Sequence, residues 1–455
     1  MSLVMKFGGT SVGDPESLRA VRDLVAAAMP RAPVVVLSAM SGVTNALFEA
    51  ARLSEVGDER GARRVQRELL ERHRAAASEL FEGTVPEALA SELRELFDEL
   101  RVLLRGVQLL HELSPRSLDA ITSMGERLST RLFAAFAVAG GLAAEYVDVR
   151  RVLRTDARFG AARPDETALS SLAREHLGPR VRPGRAVITQ GYIGATADGL
   201  TTTLGRGGSD YSAALLGAAL GAEEVQIWTD VEGILTADPR LVPAAAPIAE
   251  ISFAEAAELA AFGAKVLHPA TIQPAVEARI PVTVRHTRRP QGRFTTIREG
   301  VVTRRTVTAL AARGPVTVLT VESSRMLAQS GFLARLFEVF GRLGVSVDIV
   351  STAEVSVSLT VEPDAPLTAL VEDLGRFARV RVATERAILA IVGERKSPDI
   401  PARVFGVLRA MPIEMISMGA NAINLSLVLH YGDVPRAMAL LHAELFEGPH
   451  ADQRP

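Results

Sequence analysis

The sequence predicts an α/β chain in which an open, mainly parallel sheet is followed by two βαββαβ units, and three observations support this. From residue 1 to about 286, short apolar runs alternate with helical stretches, as in strands joined by helical crossovers. Beyond a basic, polar stretch at Thr287–Gly300, the chain changes character and repeats one order of elements. Its 455 residues, 48% hydrophobic and 23% charged, are too many for one ordinary core and fit two or three globular domains.

In chain order, the strands of the first part are Leu3–Phe7, Pro33–Leu37, Tyr146–Val149, Ala186–Gln190, Val225–Trp228 and Pro281–Arg285. Each is a short run rich in branched or aromatic residues, bounded by glycine, proline or charge. Asp14-Pro15-Glu16 starts a helix, with a capping aspartate, proline at the first helical position and an acid in the first turn. Residues 56–112 carry long helical periodicity and almost no strand signal, so they read as a helical insertion between two strands, shaping the far wall of a cleft. A further helix is expected over Ser212–Leu220.

After a linker at 287–303, the first repeat reads strand Val316–Glu322, helix Gly331–Leu343, strand Ser346–Val350, strand Glu354–Val361, helix Leu367–Phe377, strand Arg379–Thr384. The second reads strand Arg386–Val392, helix Ala402–Met411, strand Ile413–Met418, strand Ile423–Leu429, helix Val434–Leu445, and lacks a sixth strand. The alternation in Thr306–Leu310 can supply it. The first unit, 314–384, is then inserted into a second built from 304–312 plus 386–449. The exposed edges of such sheets favour pairing within or between chains.

Composition narrows the function. A net charge of −2 gives no global field to attract nucleic acid or anionic lipid, and the arginine-rich Arg60–Arg74 carries glutamates at helical spacing, as a solvated helix face does. Without cysteine there is no disulfide, thiolate metal site or thiol nucleophile. No signal-peptide pattern and no apolar run near the ~20 residues of a membrane span occur, so the chain reads as cytoplasmic. Among its 51 lysines and arginines only Lys6, Lys265 and Lys396 are lysines. A compact ammonium retained in an arginine-saturated chain marks places where a point charge is needed.

Two of those lysines sit beside glycines. Lys6 opens Lys6-Phe7-Gly8-Gly9-Thr10-Ser11, a strand entering a glycine turn, and Lys265 lies in Phe262–Pro269. Gly205-Arg206-Gly207-Gly208-Ser209-Asp210 is a second glycine turn before a helix. Such turns aim backbone N–H groups at anions, and two of them with a lysine, an arginine and a carboxylate suit phosphoryl transfer. Asp210 can orient Lys6 or hold Mg2+. Thr229-Asp230, after the strand ending at Trp228, and Asp238-Pro239-Arg240 follow the same logic at strand carboxyl ends. Neither a Gly-Lys-Ser/Thr loop nor a Gly-x-Gly-x-x-Gly turn follows the first strand, and zinc-protease and serine-elbow motifs are absent from the sequence.

These residues, with Leu37–Ala39, Gly42–Asn45, Gly125-Glu126, Gln190–Gly194, Thr201–Asp210 and Trp228–Asp230, resemble the aspartate kinases, specifically the single-function, lysine-sensitive type, over essentially the whole chain. The resemblance implies an amino-acid-kinase domain at 1–286 and two ACT regulatory units. It also implies transfer of the ATP γ-phosphoryl group, with Mg2+, to the β-carboxylate of L-aspartate, the first step toward lysine, threonine and methionine. On this resemblance Lys6 and Asp210 are the catalytic pair. Arg206 clamps the substrate α-carboxylate, Glu126 takes its ammonium, and Ser38, Thr44, Tyr192, Thr203 and Ser209 line the pocket. Lys6, Gly8, Gly9, Thr229, Asp230, Leu235, Asp238, Arg240 and Lys265 face ATP. No general base is needed, because a β-carboxylate (pKa ~4) is already ionised.

The resemblance further implies inhibition by free L-lysine, held by Met326, Gly331, Phe332, Leu333, Ser346, Val347, Asp348, Thr352 and Glu354, and a homodimer or homotetramer formed through the ACT units. Gly331 opens a helix whose N–H groups suit an α-carboxylate, and Asp348 and Glu354 supply anions for two ammonium groups. Two departures are expected to matter. Leu235 is aliphatic where the family has an aromatic near the adenine, and Ala353 lacks the usual serine hydroxyl of the effector loop.

Overall fold

The computed structural model describes residues 2–263, 269–301, 306–327, 330–393, 399–419 and 422–447. The chain divides into two compact units, Met1–Ile234 with Val266–Gly300, and Leu235–Lys265 with Val301–Pro455.

In the first unit the chain runs β1 (Leu3–Phe7), α1 (Pro15–Ala28), β2 (Pro33–Leu37), α2 (Val43–Glu55), α3 (Glu59–Leu80), α4 (Glu87–Leu110), α5 (Pro115–Thr122), α6 (Met124–Ala139), β3 (Ala144–Tyr146), α7 (Glu166–His176), β4 (Ala186–Gln190), β5 (Ile193–Ala195), β6 (Thr201–Thr203), α8 (Gly208–Leu220) and β7 (Glu224–Thr229). It then supplies β8 (Glu250–Ser252) and α9 (Phe253–Ala261) to the second unit, and returns with α10 (Pro269–Glu277), β9 (Val282–His286) and β10 (Thr295–Arg298).

The first unit's large sheet has the order β3-β4-β2-β1-β7-β9-β10. Every pairing in it is parallel except β9 with β10. Strands β1, β2 and β4 are buried at every position, which explains why they are mostly apolar, with only Lys6 in β1 and Thr189 and Gln190 in β4 as polar exceptions near their carboxyl ends. The Asp14 carboxylate caps α1 by accepting the Ser17 N–H at 2.8 Å, as the Asp-Pro-Glu start predicts. The helical insertion is a pair of helices, α3 and α4, whose Val65, Leu69, Leu93, Leu96 and Leu100 join one core with Leu47, Leu128 and Phe133.

Two expected elements differ. The strand placed at Tyr146–Val149 ends at Tyr146, because the Asp148 carboxylate accepts the Arg150 N–H at 3.1 Å and closes a 3-10 turn at Val149–Arg151. The helix placed at Ser212 starts four residues earlier, at Gly208, straight after Gly207 at φ 71°.

The second unit continues with β11 (Ala309–Glu322), α11 (Phe332–Arg342), β12 (Val350–Thr352), β13 (Ser356–Val361), α12 (Leu367–Gly375), β14 (Arg379–Val392), α13 (Asp399–Val407), β15 (Met415–Met418), β16 (Asn424–His430) and α14 (Val434–His442). One antiparallel sheet has the order β12-β13-β11-β14-β16-β15. Ala309–Arg313 pairs with Ile388–Val392, and Val318–Glu322 pairs with Arg379–Ala383. The first half of β11 therefore lies beside the first strand of the second repeat, starting at Ala309 rather than at the expected Thr306. The two repeats share their central strands without interruption. The strand expected at Ser346–Val350 is a correction: pairing with β13 begins only at Val350 and runs to Thr352.

Candidate active site

Four parallel neighbours, β4, β2, β1 and β7, end together, and the chain leaves each of them at a predicted site residue. Open parallel sheets bind ligands at such an edge. From β1 project Lys6, 8% exposed, and the turn Gly8-Gly9. The Gly8 N–H donates to the Trp228 carbonyl at the end of β7 (3.2 Å), and the Ser41 N–H donates to the Gly9 carbonyl at 3.1 Å. The turn is thus fixed from both sides. Lys6 Nζ lies 2.6 Å from Asp210 Oδ1, in the first turn of α8. The two glycine turns found in the sequence therefore meet through this ion pair.

The second glycine turn is seated by close contacts. A Cβ on Gly191 would lie 2.7 Å from the Ser209 Cβ, and one on Gly208 would lie 2.8 Å from Tyr192 Cδ2. Side chains at those positions would push α8 off the sheet edge. Tyr192 itself has φ 66°, a conformation that costs a bulky residue energy, and its N–H donates to Ser212 Oγ at 3.0 Å. Arg206 is exposed and forms no ion pair among the described residues.

After β2, the Ser38 N–H donates to the Phe7 carbonyl (3.1 Å), and the Ser38 carbonyl accepts from Ser129 Oγ (2.7 Å). The next N–H, of Ala39, donates to Glu126 Oε1 at 3.1 Å. Glu126, in the first turn of α6, is only 3% exposed, and its Oε2 has no partner. Burial pushes its carboxyl up to about 8, against the smaller opposing pull of the Ala39 N–H. Its Oε2 is a buried polar oxygen left open to a partner from outside the described residues. Thr44 lies half-buried in the first turn of α2.

Thr203, at the end of β6, is held by a residue that the sequence reading missed. Asp119 of α5, 2% exposed, accepts the Thr203 N–H at 2.9 Å, the Thr203 hydroxyl at 2.7 Å, and the Gly160 N–H at 2.9 and 3.0 Å.

On β7, Thr229 Oγ1 donates to Asp230 Oδ1 at 3.2 Å, and Asp230 is exposed. The remaining predicted nucleotide residues belong to the second unit. There the Arg240 guanidinium closes on its near neighbour Asp238 (2.6 Å), and Leu235 is half-buried, bridged to Pro247. Lys265 lies outside the described residues, as does Lys396.

The predicted effector residues also lie in the second unit. Gly331, at φ 89°, caps α11; Phe332 packs edge-on against Phe377 in the core beside Val347, whereas Leu333 is 40% exposed. Met326 is half-buried, and Ser346, Thr352 and Glu354 are exposed. Asp348 is already paired: Arg313 Nη2 sits 2.7 Å from its Oδ2 and also contacts Glu362. Arg313 Nη1 donates to the Ala261 carbonyl, at the end of α9, at 3.3 Å.

Residues 1–286 match the family model "Amino acid kinase family", and residues 389–445 match "ACT domain". The lysine-sensitive aspartokinase 3 of Escherichia coli K12 is 42% identical over 98% of this chain and 99% of its own length. The chloroplastic aspartokinase 1 of Arabidopsis thaliana is 37% identical over 98% of this chain and 80% of its own. Among solved structures, E. coli aspartokinase III with aspartate and ADP in the R-state aligns with a TM-score of 0.84 at 40% identity, covering 98% of this chain and 100% of that one. The same enzyme with lysine and aspartate in the T-state aligns at 0.83, covering 98% and 99%. With the kinase model matched over most of the chain and identity sustained along its length, the chain belongs to the aspartokinases of the amino acid kinase family.

Proposed function

We propose that this chain phosphorylates the β-carboxylate of L-aspartate with ATP, forming 4-phospho-L-aspartate and ADP, and that L-lysine inhibits it through the ACT units. The observation that carries the substrate assignment is Glu126, buried, with an unpartnered Oε2, and tied through the Ala39 N–H to the strand edge that bears Lys6 and Asp210. A dicarboxylate bearing an ammonium group needs one isolated anion and one free cation, and Arg206 is the free cation. Its relatives support the reading: E. coli aspartokinase III was solved with aspartate and ADP, and with lysine.

Lys6, oriented by Asp210, neutralises the transferring phosphoryl group, while the N–H group of Gly9 and those opening α8 face phosphate oxygens. Ser38, Thr44, Tyr192, Thr203 and Ser209 complete the aspartate pocket, and Thr229, Asp230, Leu235, Asp238, Arg240 and Lys265 take the nucleotide. No group of three His, Cys, Asp or Glu suited to a metal occurs among the described residues. That fits Mg2+ carried on ATP phosphates and waters, with Asp210 or Asp230 as its protein ligand, and the ion neutralises phosphate charge when bound. Residues 1–286 carry catalysis; 314–384, and 304–312 with 386–449, are the two regulatory units, following the linker at 287–303. Cytoplasmic location and assembly as a homodimer or homotetramer through the ACT units complete the proposal. No helix among the described residues is long and apolar enough to cross a membrane.

Glu126→Gln tests the pocket. The loss of aspartate binding is expected to be about 2–3 kcal/mol, a 30- to 150-fold rise in KM, with KM for ATP nearly unchanged. A rise in the ATP constant instead would reverse the two halves of the cleft.

A further inference from the structure

We propose that Asp119 is a positioning residue that fixes the hydrogen-bond polarity of the aspartate pocket, so that the wall formed by Thr203 and Tyr192 presents lone pairs to the substrate's ammonium group. The proposal rests on the assignment of Glu126 and Arg206 to aspartate.

The argument is a count of protons. All the groups that reach the Asp119 carboxylate are donors: the Gly160 N–H, shared between both oxygens, and the N–H and hydroxyl of Thr203. The Gly160 and Thr203 N–H groups can only donate, so both carboxylate oxygens are already accepting and the arrangement suits the ionised form. Burial holds the Asp119 pKa above its ordinary value, and the Gly160 and Thr203 donors oppose that rise without cancelling it. Since a carboxylate only accepts, the Thr203 hydroxyl must spend its single proton on Asp119, at 2.7 Å. Toward the pocket Thr203 Oγ1 then offers lone pairs alone.

A second hydroxyl is committed in the same way. Thr122 Oγ1 donates to the Leu118 carbonyl at 2.9 Å. The Tyr192 phenol faces both Thr203 and Thr122; burial first, then the charges of Glu126 and Asp119, hold it above its ordinary range. Its one proton can satisfy only one of the two threonines. Three hydroxyls therefore share one free proton, beside the unpartnered Oε2 of Glu126. Such a wall attracts a cation with N–H donors and disfavours a carboxylate.

Asparagine at 119 reverses the count. Its Nδ2 must face Thr203 or Gly160 as a donor, so the Thr203 hydroxyl becomes the acceptor and its proton turns to the pocket. Asp119→Asn is tested in the full-length enzyme, with KM for L-aspartate, KM for ATP and Ki for succinate, which carries both carboxylates and no ammonium. The expected result is at least a tenfold rise in the ratio of aspartate KM to succinate Ki, with the ATP constant within twofold. Loss of aspartate and succinate together, a parallel rise in ATP KM, or an unchanged ratio would each overturn the inference.

Should Asp119→Asn fail to fold, Thr203→Val carries the test: the same ratio rises, and Thr203→Ser, which keeps the hydroxyl, restores it. An unchanged ratio in Thr203→Val, or no restoration by serine, would overturn it too. Where the asparagine variant folds, adding it to Thr203→Val is expected to raise the ratio less than twofold further, because both act through one hydroxyl; full additivity counts against the inference. A wild-type enzyme that releases no ADP with aspartate would strike the functional assignment itself, whereas an active wild type with unmoved ratios strikes only the role of Asp119.

Discussion

At the scale of single residues, two charges carry the account. Lys6 is nearly buried and held 2.6 Å from Asp210, in a chain that uses arginine almost everywhere else. Lys6→Arg keeps the charge but puts a flat, five-donor group where a point charge fits, so kcat is expected to fall on the order of 100-fold or more while the melting temperature holds. Wild-type turnover in the purified variant would contradict this. Glu126 adds a pH signature. Its carboxyl is raised from 4.5 to about 8, so between those values the folded enzyme keeps a proton that the unfolded chain releases. The stability contributed by this group is full below 4.5 and is lost as pH rises through 8. The substrate's ammonium needs the opposite state, the anion. Aspartate KM is therefore expected to fall by up to about tenfold per pH unit from 6 toward 8, and Glu126→Gln flattens that slope. A flat wild-type profile would show that Glu126 does not meet the ammonium. Lys6 and Asp210 stood out in the sequence because each belongs to a glycine-marked turn, whereas Glu126, inside α6, was singled out only by the family resemblance. Asp119 was not, since its role depends on Gly160 and Thr203, 41 and 84 positions away.

At the scale of elements, the proposed effector loop before β12 offers its own test. Arg313, at the irregularity in β11, occupies the carboxylate of Asp348, which any lysine binding there must share or take. Asp348→Ala is expected to abolish the response to lysine with uninhibited activity nearly intact. Arg313→Met removes the resident cation, and the lysine concentration giving half-inhibition is expected to fall about fivefold, ~1 kcal/mol of coupling. Inhibition curves for both variants decide it; weaker inhibition in Arg313→Met would mean that the arginine supports the site rather than competing for it. The elements show where sequence reading reaches its limit. Strands β1, β2 and β4 match their expected bounds to the residue because full burial favours short, mostly apolar runs with sharp ends. The continuity of β14 was hidden: Arg379, Arg381, Thr384 and Glu385 are exposed and look like a boundary, and Glu385 takes φ 55° without ending the strand. Ser346–Ile349 alternates like a strand, yet only its Val347 and Ile349 find a core; the Asp348 N–H and the Ile349 carbonyl bond to Thr360 at 3.2 and 3.0 Å, and the regular strand starts at Val350.

At the scale of the whole molecule, the chain is a kinase and a pair of fused repeats written in one sequence, with segment 235–265 belonging by contact to the second unit and by family match to the kinase. That assignment could not be read from periodicity, because Ala237 and Val242 look like ordinary loop residues and become core only against Leu389, Met438 and Leu441. The repeat order could be read, because each repeat restates the same alternation of strand and helix. The central claim is that the carboxyl edge of the parallel sheet selects L-aspartate and moves a phosphoryl group onto it. Its most direct test is ADP release by the purified enzyme with ATP, Mg2+ and, in turn, L-aspartate, L-glutamate or N-acetyl-L-glutamate, each with and without lysine. The account predicts turnover with aspartate, at least 100-fold less kcat/KM with the other two, and inhibition of the aspartate reaction by lysine. Turnover with N-acetyl-L-glutamate equal to that with aspartate would contradict it, because that substrate brings no ammonium to Glu126.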